Sequence, residues 1–160
     1  MQIIPNLNTG GMETQLVSFA MHIDNKKYDL FVCCIGDGVL TEVLREKGVK
    51  VFSFKKKPNA IGFKSLIDLY RIMKNEKPQI IHCQGFTAGI RGHMIAKFAN
   101  MPVIIKSYHG LNLHKKKWHL FLDRLLSKTT ARLIVVSNCR KQLMLKREKI
   151  KADKITIVYN

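Results

Sequence analysis

Pro78-Gln79-Ile80-Ile81-His82-Cys83-Gln84-Gly85, then a segment carrying Ile90, Met94, Ile95 and Phe98, then Pro102-Val103-Ile104-Ile105-Lys106-Ser107-Tyr108-His109-Gly110, reads as strand, helix, strand. The two outer runs are short, rich in Ile and Val, and apolar at successive positions, as in strands buried on both faces. The apolar residues between them recur at helical spacing. A strand, a helix and a second strand of this length form a βαβ unit, whose strands lie parallel and whose crossover is right-handed.

The alternation extends in both directions. Strand-length apolar runs recur at 28–35, 49–54, 132–136 and 154–159, besides those at 79–82 and 102–108. Helical stripes lie between them: Leu16, Val17, Ala20 and Ile23; Leu40, Val43 and Leu44, closed by Gly48 as a C-terminal cap; and Phe63, Leu66, Ile67, Tyr70 and Met73. A further stripe is Trp118, Phe121, Leu122, Leu125 and Leu126, and Ser137 is placed to cap a last helix running toward Arg147. The fold class is therefore α/β, a Rossmann-like doubly wound parallel sheet, in which ligands bind beyond the carboxyl ends of the strands.

With 160 residues, 46% of them hydrophobic and spread along the chain, one domain over 1–160 is expected. No apolar run approaches the roughly 18–20 residues that span a bilayer, and the N-terminus lacks a signal-peptide pattern, so a cytoplasmic chain is expected. Only Gln2 to Pro5 precedes the first loop, which looks too short for a central strand, and 154–160 is a strand with nothing after it. Both ends look cut.

Cys33, Cys34, Cys83 and Cys139 form no CxxC pair and are expected to be reduced and buried as small apolar residues. His82 beside Cys83 lacks further ligands at a metal-site spacing, so no metal is expected. The outlying quantity is charge: 28 Lys and Arg against 11 Asp and Glu give +17, a field that favours an anionic partner.

The polar residues at the strand ends carry the chemistry. Asn6-Leu7-Asn8-Thr9-Gly10-Gly11-Met12-Glu13 runs into a helix, whose free N–H groups and positive dipole end suit a phosphate, although it is neither GxGxxG nor a P-loop. Glu13 is expected to cap or fix that loop. His82-Cys83-Gln84-Gly85, Ser107-Tyr108-His109-Gly110 and Val136-Ser137-Asn138 follow the same strand-then-polar form. Two histidines at equivalent ends of neighbouring strands indicate a shared cleft.

The ordered set Gly10-Gly11-Met12-Glu13, Pro78-Gln79-Ile80-Ile81-His82, Ser107-Tyr108-His109-Gly110, Ile134-Val135-Val136-Ser137 and Ile155-Thr156-Ile157-Val158-Tyr159-Asn160 resembles the N-terminal, acceptor-side domain of the retaining, GT-B fold glycosyltransferases called family four. The resemblance covers essentially the whole chain. It implies an enzyme that transfers a sugar from a nucleotide-sugar donor to a glycan or lipid-linked acceptor, in bacterial surface polysaccharide or glycolipid synthesis, with no metal or other cofactor.

It further implies that Gly10 and Gly11 approach the donor diphosphate, that His109 is catalytic near the transferred sugar, and that His82, Gln84, Gly85, Tyr108 and Ser137 lie on the acceptor side. The donor-gripping C-terminal domain has no counterpart here, so the isolated chain is expected to be inactive.

The basic runs Lys55-Lys56-Lys57, His114-Lys115-Lys116-Lys117 and the group from Arg140 to Lys151 suit either solvated surface or an anionic membrane surface at the inner face, with Trp118 and Phe121 as interfacial anchors. Trp118 also fits the core stripe of its helix, the role favoured for it. The charge leaves two further readings open: a basic nucleic-acid-binding module, and an acceptor or membrane-anchor subunit of a split glycosyltransferase.

Overall fold

The computed structural model describes residues 1–54, 63–111 and 116–159. Among them seven strands form one sheet: β1 Gln2–Ile4, β2 Phe31–Cys34, β3 Lys50–Ser53, β4 Ile80–Gln84, β5 Val103–Tyr108, β6 Arg132–Val135 and β7 Ile155–Ile157. Their order is β3-β2-β1-β4-β5-β6-β7, and every pairing is parallel. The helices are α1 Gly11–His22, α2 Leu40–Glu46, α3 Phe63–Glu76, α4 Thr87–Phe98, α5 Lys117–Ser127 and α6 Asn138–Lys146. The doubly wound expectation holds.

Two observations correct the sequence reading of the strands. β1 is central despite its three residues, because flanking carbonyls extend its ladders: His82 N donates to Met1 O at 2.9 Å and Gly36 N to Pro5 O at 2.8 Å. β4 runs on through Cys83 and Gln84, so His82 is in mid-strand rather than at its end.

Right-handed crossovers put α1 and α2 on one face of the sheet and α3 to α6 on the other. The core follows that division. Ile4, Val32 and Cys34 meet Leu16, Ala20 and Leu44 on the first face. Ile3, Cys33, Ile81 and Cys83 meet Met73, Ala88 and Ala96 on the second, and Tyr108, Leu133 and Val135 meet Met144 farther along it. Burial pushes the Cys34 and Cys83 thiols up to about 12 and raises Cys33 too, so all three pack as neutral small residues. Cys139 departs from the expectation of burial and is exposed.

Local signals behave as their chemistry dictates. Gly48, at φ +79°, takes the left-handed position that ends α2. Ser137 caps α6, its Oγ accepting from Arg140 N at 3.2 Å.

The orientation of α5 differs from the expected one. Asp123, Leu126 and Ser127 face inward, while Trp118, Phe121 and Leu125 face out. The cause is polar: Lys106 and Tyr108 point from β5 into this layer, and the Asp123 carboxylate accepts from Lys106 Nζ at 3.0 Å and Tyr108 Oη at 2.7 Å. Satisfying a buried ammonium outweighs burying the aromatic side of the helix.

Of the basic runs, Lys55, Lys56, Lys57, His114 and Lys115 lie outside the described residues, as do Asn160 and the side chains of Phe63 and Thr87.

Candidate functional site

The strand order reverses at β1, which has β2 on one side and β4 on the other. The loops leaving β1 and β4 therefore flank a crevice at the carboxyl end of the sheet, where open α/β sheets bind ligands. Gly10 and Gly11 start α1 at this crevice, with Gly10 as its extended N-cap residue. Gly10, lacking a side chain, makes no side-chain cap bond to that helix start.

The loop is fixed from beneath. Leu7 is fully buried, its carbonyl accepts from Leu40 N at 3.0 Å, and Gly38 packs on the Leu7 backbone with no room for a Cβ. Asn6 Oδ1 accepts from Asn8 N at 3.1 Å. Glu13 is buried in the first turn with its carboxylate against Gly10, where a Cβ would lie 2.5 Å from Oε2. A Cβ at Gly11 would meet nothing within 4 Å, so this glycine leaves open space above the helix start.

Gly85, directly after β4, has φ +72°, and its N–H donates to Ser107 O at 3.1 Å. A Cβ there would lie 3.4 Å from Met12 Sδ and 3.6 Å from Pro5 Cγ, so the β4 turn packs against the glycine loop. Gln84 is buried, donates Nε2–H to Gln2 Oε1 at 2.9 Å, and leaves its own Oε1 without a partner.

His109 follows β5. Both of its ring nitrogens are shielded from water and neither has a hydrogen-bond partner among the described residues. Burial lowers its pKa, so the ring is neutral and offers one donor and one acceptor. Buried polar atoms left unpaired are rare, which makes this ring a candidate for the site.

The other residues expected on the acceptor side are dispersed. His82 lies on the same sheet face as Gln84 but one pleat back, with Nε2 2.6 Å from Ser107 Oγ. Burial and the neighbouring His109 lower its pKa to about 4, which keeps it neutral. It lines a groove of about 640 Å³ at the opposite, amino ends of the strands, together with Gln2, Phe19, Ile80 and Ile105. The crevice, by contrast, has the α1 start and Gln84 Oε1, which has no partner among the described residues. Tyr108 points to the far face, where its hydroxyl serves Asp123, and the Ser137 hydroxyl is occupied as a helix cap.

Sequence reasoning missed a buried ionic network behind the His109 loop. Beyond the Lys106–Asp123–Tyr108 contacts, Arg140 pairs with Glu148 at 2.7 Å, stacks over the Tyr108 ring at 4.9 Å, and donates to Leu111 O at 3.1 Å. Lys106, Asp123, Arg140 and Glu148 are all buried. The available signal was Lys106, a cation alternating with Ile104 and Tyr108 on one face of a buried strand. Among the described residues no group of three or more His, Cys, Asp or Glu could hold a metal ion.

A family model, Glycosyltransferase Family 4, matches residues 9–160. The chain belongs to glycosyltransferase family 4. A curated relative of this family 4 chain is UDP-Gal:alpha-D-GlcNAc-diphosphoundecaprenol alpha-1,3-galactosyltransferase of Escherichia coli, 28% identical over 169 residues. The match takes in 99% of the chain and 43% of that relative, so the family 4 chain spans less than half of its length.

Among solved structures, Anabaena Alr3699/HepE in complex with UDP and glucose matches with a TM-score of 0.79 at 16% identity, over 99% of this chain and 43% of that one. The lipopolysaccharide outer core galactosyltransferase WaaB, in its apo form, matches with a TM-score of 0.69 at 17% identity, over 100% and 46%. A UDP-GlcNAc 2-epimerase from Neisseria meningitidis shares the fold at a TM-score of 0.61 and 19% identity, covering 98% and 45%. These likenesses establish the Rossmann-like domain of GT-B proteins; the epimerase shows that the fold by itself does not select glycosyl transfer.

Proposed function

We propose that the chain is the acceptor-side domain of a retaining glycosyltransferase that moves a sugar from a nucleoside diphosphate sugar to a lipid-linked or glycan acceptor in bacterial glycan synthesis. What supports this reading is that the α1 start at Gly10-Gly11 and His109, whose ring nitrogens have no partner among the described residues, both follow carboxyl ends of strands of one sheet. A second domain, matching the remaining length of the relatives, would hold the nucleotide, and without it the chain would be inactive.

In such a transfer the anomeric carbon's bond to the diphosphate oxygen breaks, and a bond to the acceptor oxygen forms on the same face of the sugar. The acceptor's proton is lost, and negative charge grows on the leaving diphosphate. The α1 N–H groups and dipole would stabilise that charge without reorganising. Neutral His109 would bond a sugar hydroxyl or the leaving oxygen, and Gln84 Oε1 would accept from an acceptor hydroxyl.

A lipid-linked acceptor would be met at the inner membrane face; no described helix is long and apolar enough to cross a membrane. The test is His109→Ala in the enzyme that contains this chain. Turnover should fall at least tenfold, roughly the value of one lost transition-state hydrogen bond, with an unchanged melting temperature. Full turnover would remove His109 from the site.

A further inference from the structure

Ser107 closes the pairing of β4 with β5. It is the last β5 residue in that ladder, opposite Gln84, and beyond it the two chains part: Gly85 turns away at φ +72°, while Tyr108 goes on to pair with Val135 of β6. At this fork Ser107 is bonded through both of its oxygens. Its carbonyl accepts from Gly85 N at 3.1 Å, and its Oγ lies 2.6 Å from His82 Nε2, a hydrogen bond in either tautomer of the neutral ring.

The second bond is diagonal. His82 stands opposite Ile105, and Gln84 opposite Ser107, so the contact from His82 to Ser107 spans one strand step as well as the gap between strands. A backbone ladder resists separation of the strands; a diagonal side-chain bond also resists sliding of one strand end along the other.

Two groups of the candidate site hang from this fork. Gly85 packs toward Met12 and Pro5 of the glycine loop. His109 lies two residues beyond Ser107, and close enough to His82 that a charge on one disfavours a charge on the other.

Serine is otherwise a poor choice here. Ser107 is 3% exposed in a strand that includes Ile104 and Ile105, where it adds little apolar surface and a hydroxyl that has to be paired. An apolar pair at 82 and 107 would fill the space without that demand. The polar pair adds direction.

We propose that Ser107 is a positioning residue for glycosyl transfer: through its bonds to His82 and Gly85 it sets the His109 ring against the glycine loop. This rests on the function proposed above, in which His109 acts on the sugar.

In the chain itself, histidine ring nitrogens are followed by proton–nitrogen correlation spectroscopy with no donor or acceptor present. Ser107→Ala should move the ring signals of His82, which loses its partner, and also those of His109, which loses none. An unmoved His109 would overturn the proposal. In the whole enzyme, Ser107→Ala should lower kcat about fivefold or more with the donor KM within about twofold, and Ser107→Thr, which keeps the hydroxyl, should restore kcat.

Ser107→Val with His82→Leu should melt within a few degrees of the parent and still turn over slowly. Parental kcat in that stable pair, or no rescue by Ser107→Thr, would overturn the proposal. His109→Ala separates the two readings: slow turnover there beside normal turnover in Ser107→Ala keeps the function and removes only the positioning role.

Discussion

The α3–α6 face of the sheet is held in two different ways along its width. Under β1, β2 and β4 the filling is apolar, with Ile3, Cys33, Ile81, Cys83 and Met73 in contact and little beyond shape to specify it. Under β5 and β6 it is ionic, with Lys106, Asp123, Tyr108, Arg140 and Glu148 bonded in fixed directions. The difference teaches where precision is required. The apolar part tolerates small repacking, whereas the ionic part fixes the rotation of α5 and, through Arg140 and the Leu111 carbonyl, the loop that carries His109.

The comparison breaks most visibly at Asp123. Asp123→Ala strands a buried ammonium and a buried phenol, so a loss of about 3–5 kcal/mol is expected in denaturant unfolding. Adding Lys106→Met should recover much of it; a double variant no better than the single would mean the charge is not the cause. On the apolar side, Met73→Ala should cost about 3 kcal/mol from lost burial and the cavity left behind. A loss below about 1 kcal/mol there would show that this part collapses freely.

His93 sits at the seam, where Nε2 bonds Thr129 Oγ1 at 2.8 Å between α4 and the end of α5. Burial, with Lys106 nearby, lowers its pKa from 6.5 to about 4. The unfolded chain therefore binds this proton first as pH falls, and the stability due to neutral His93 is complete above about pH 6.5 and lost toward pH 4. His82 acts in the same sense. The melting temperature should fall over that window, by an amount on the order of 2 kcal/mol in stability for His93, and His93→Gln should flatten the slope. An unchanged slope would place the titration elsewhere.

The smallest expected effect tests the link to the site. Arg140→Lys keeps the charge but loses the forked geometry that reaches both Glu148 and Leu111, at a cost of about 2 kcal/mol or less. Turnover of the whole enzyme should fall more than stability accounts for, because the His109 loop loses its tether. Normal turnover would separate the network from the site.

Much of this was legible in the chain. The Ile- and Val-rich runs, the helical spacings, Gly48 and Ser137 act through neighbours a few residues away, so periodicity and capping chemistry reveal them. The ordered strand-end motifs likewise pointed to family 4. The placement of site residues was less legible. His82, Gln84 and Tyr108 all read as strand-end residues in the sequence, yet pleat parity and the two further strand residues Cys83 and Gln84 send them to a groove, a crevice edge and the opposite face.

By itself, then, the sequence determined the βαβ alternation, the sheet type and the position of the glycine loop, because each depends on local backbone preference and hydrophobic period. Only the tertiary structure decided which side of α5 faces inward. That choice turns on Lys106 meeting Asp123 across 17 positions of chain, a contact whose desolvation energy outweighs the local preference of Trp118 and Phe121 for burial.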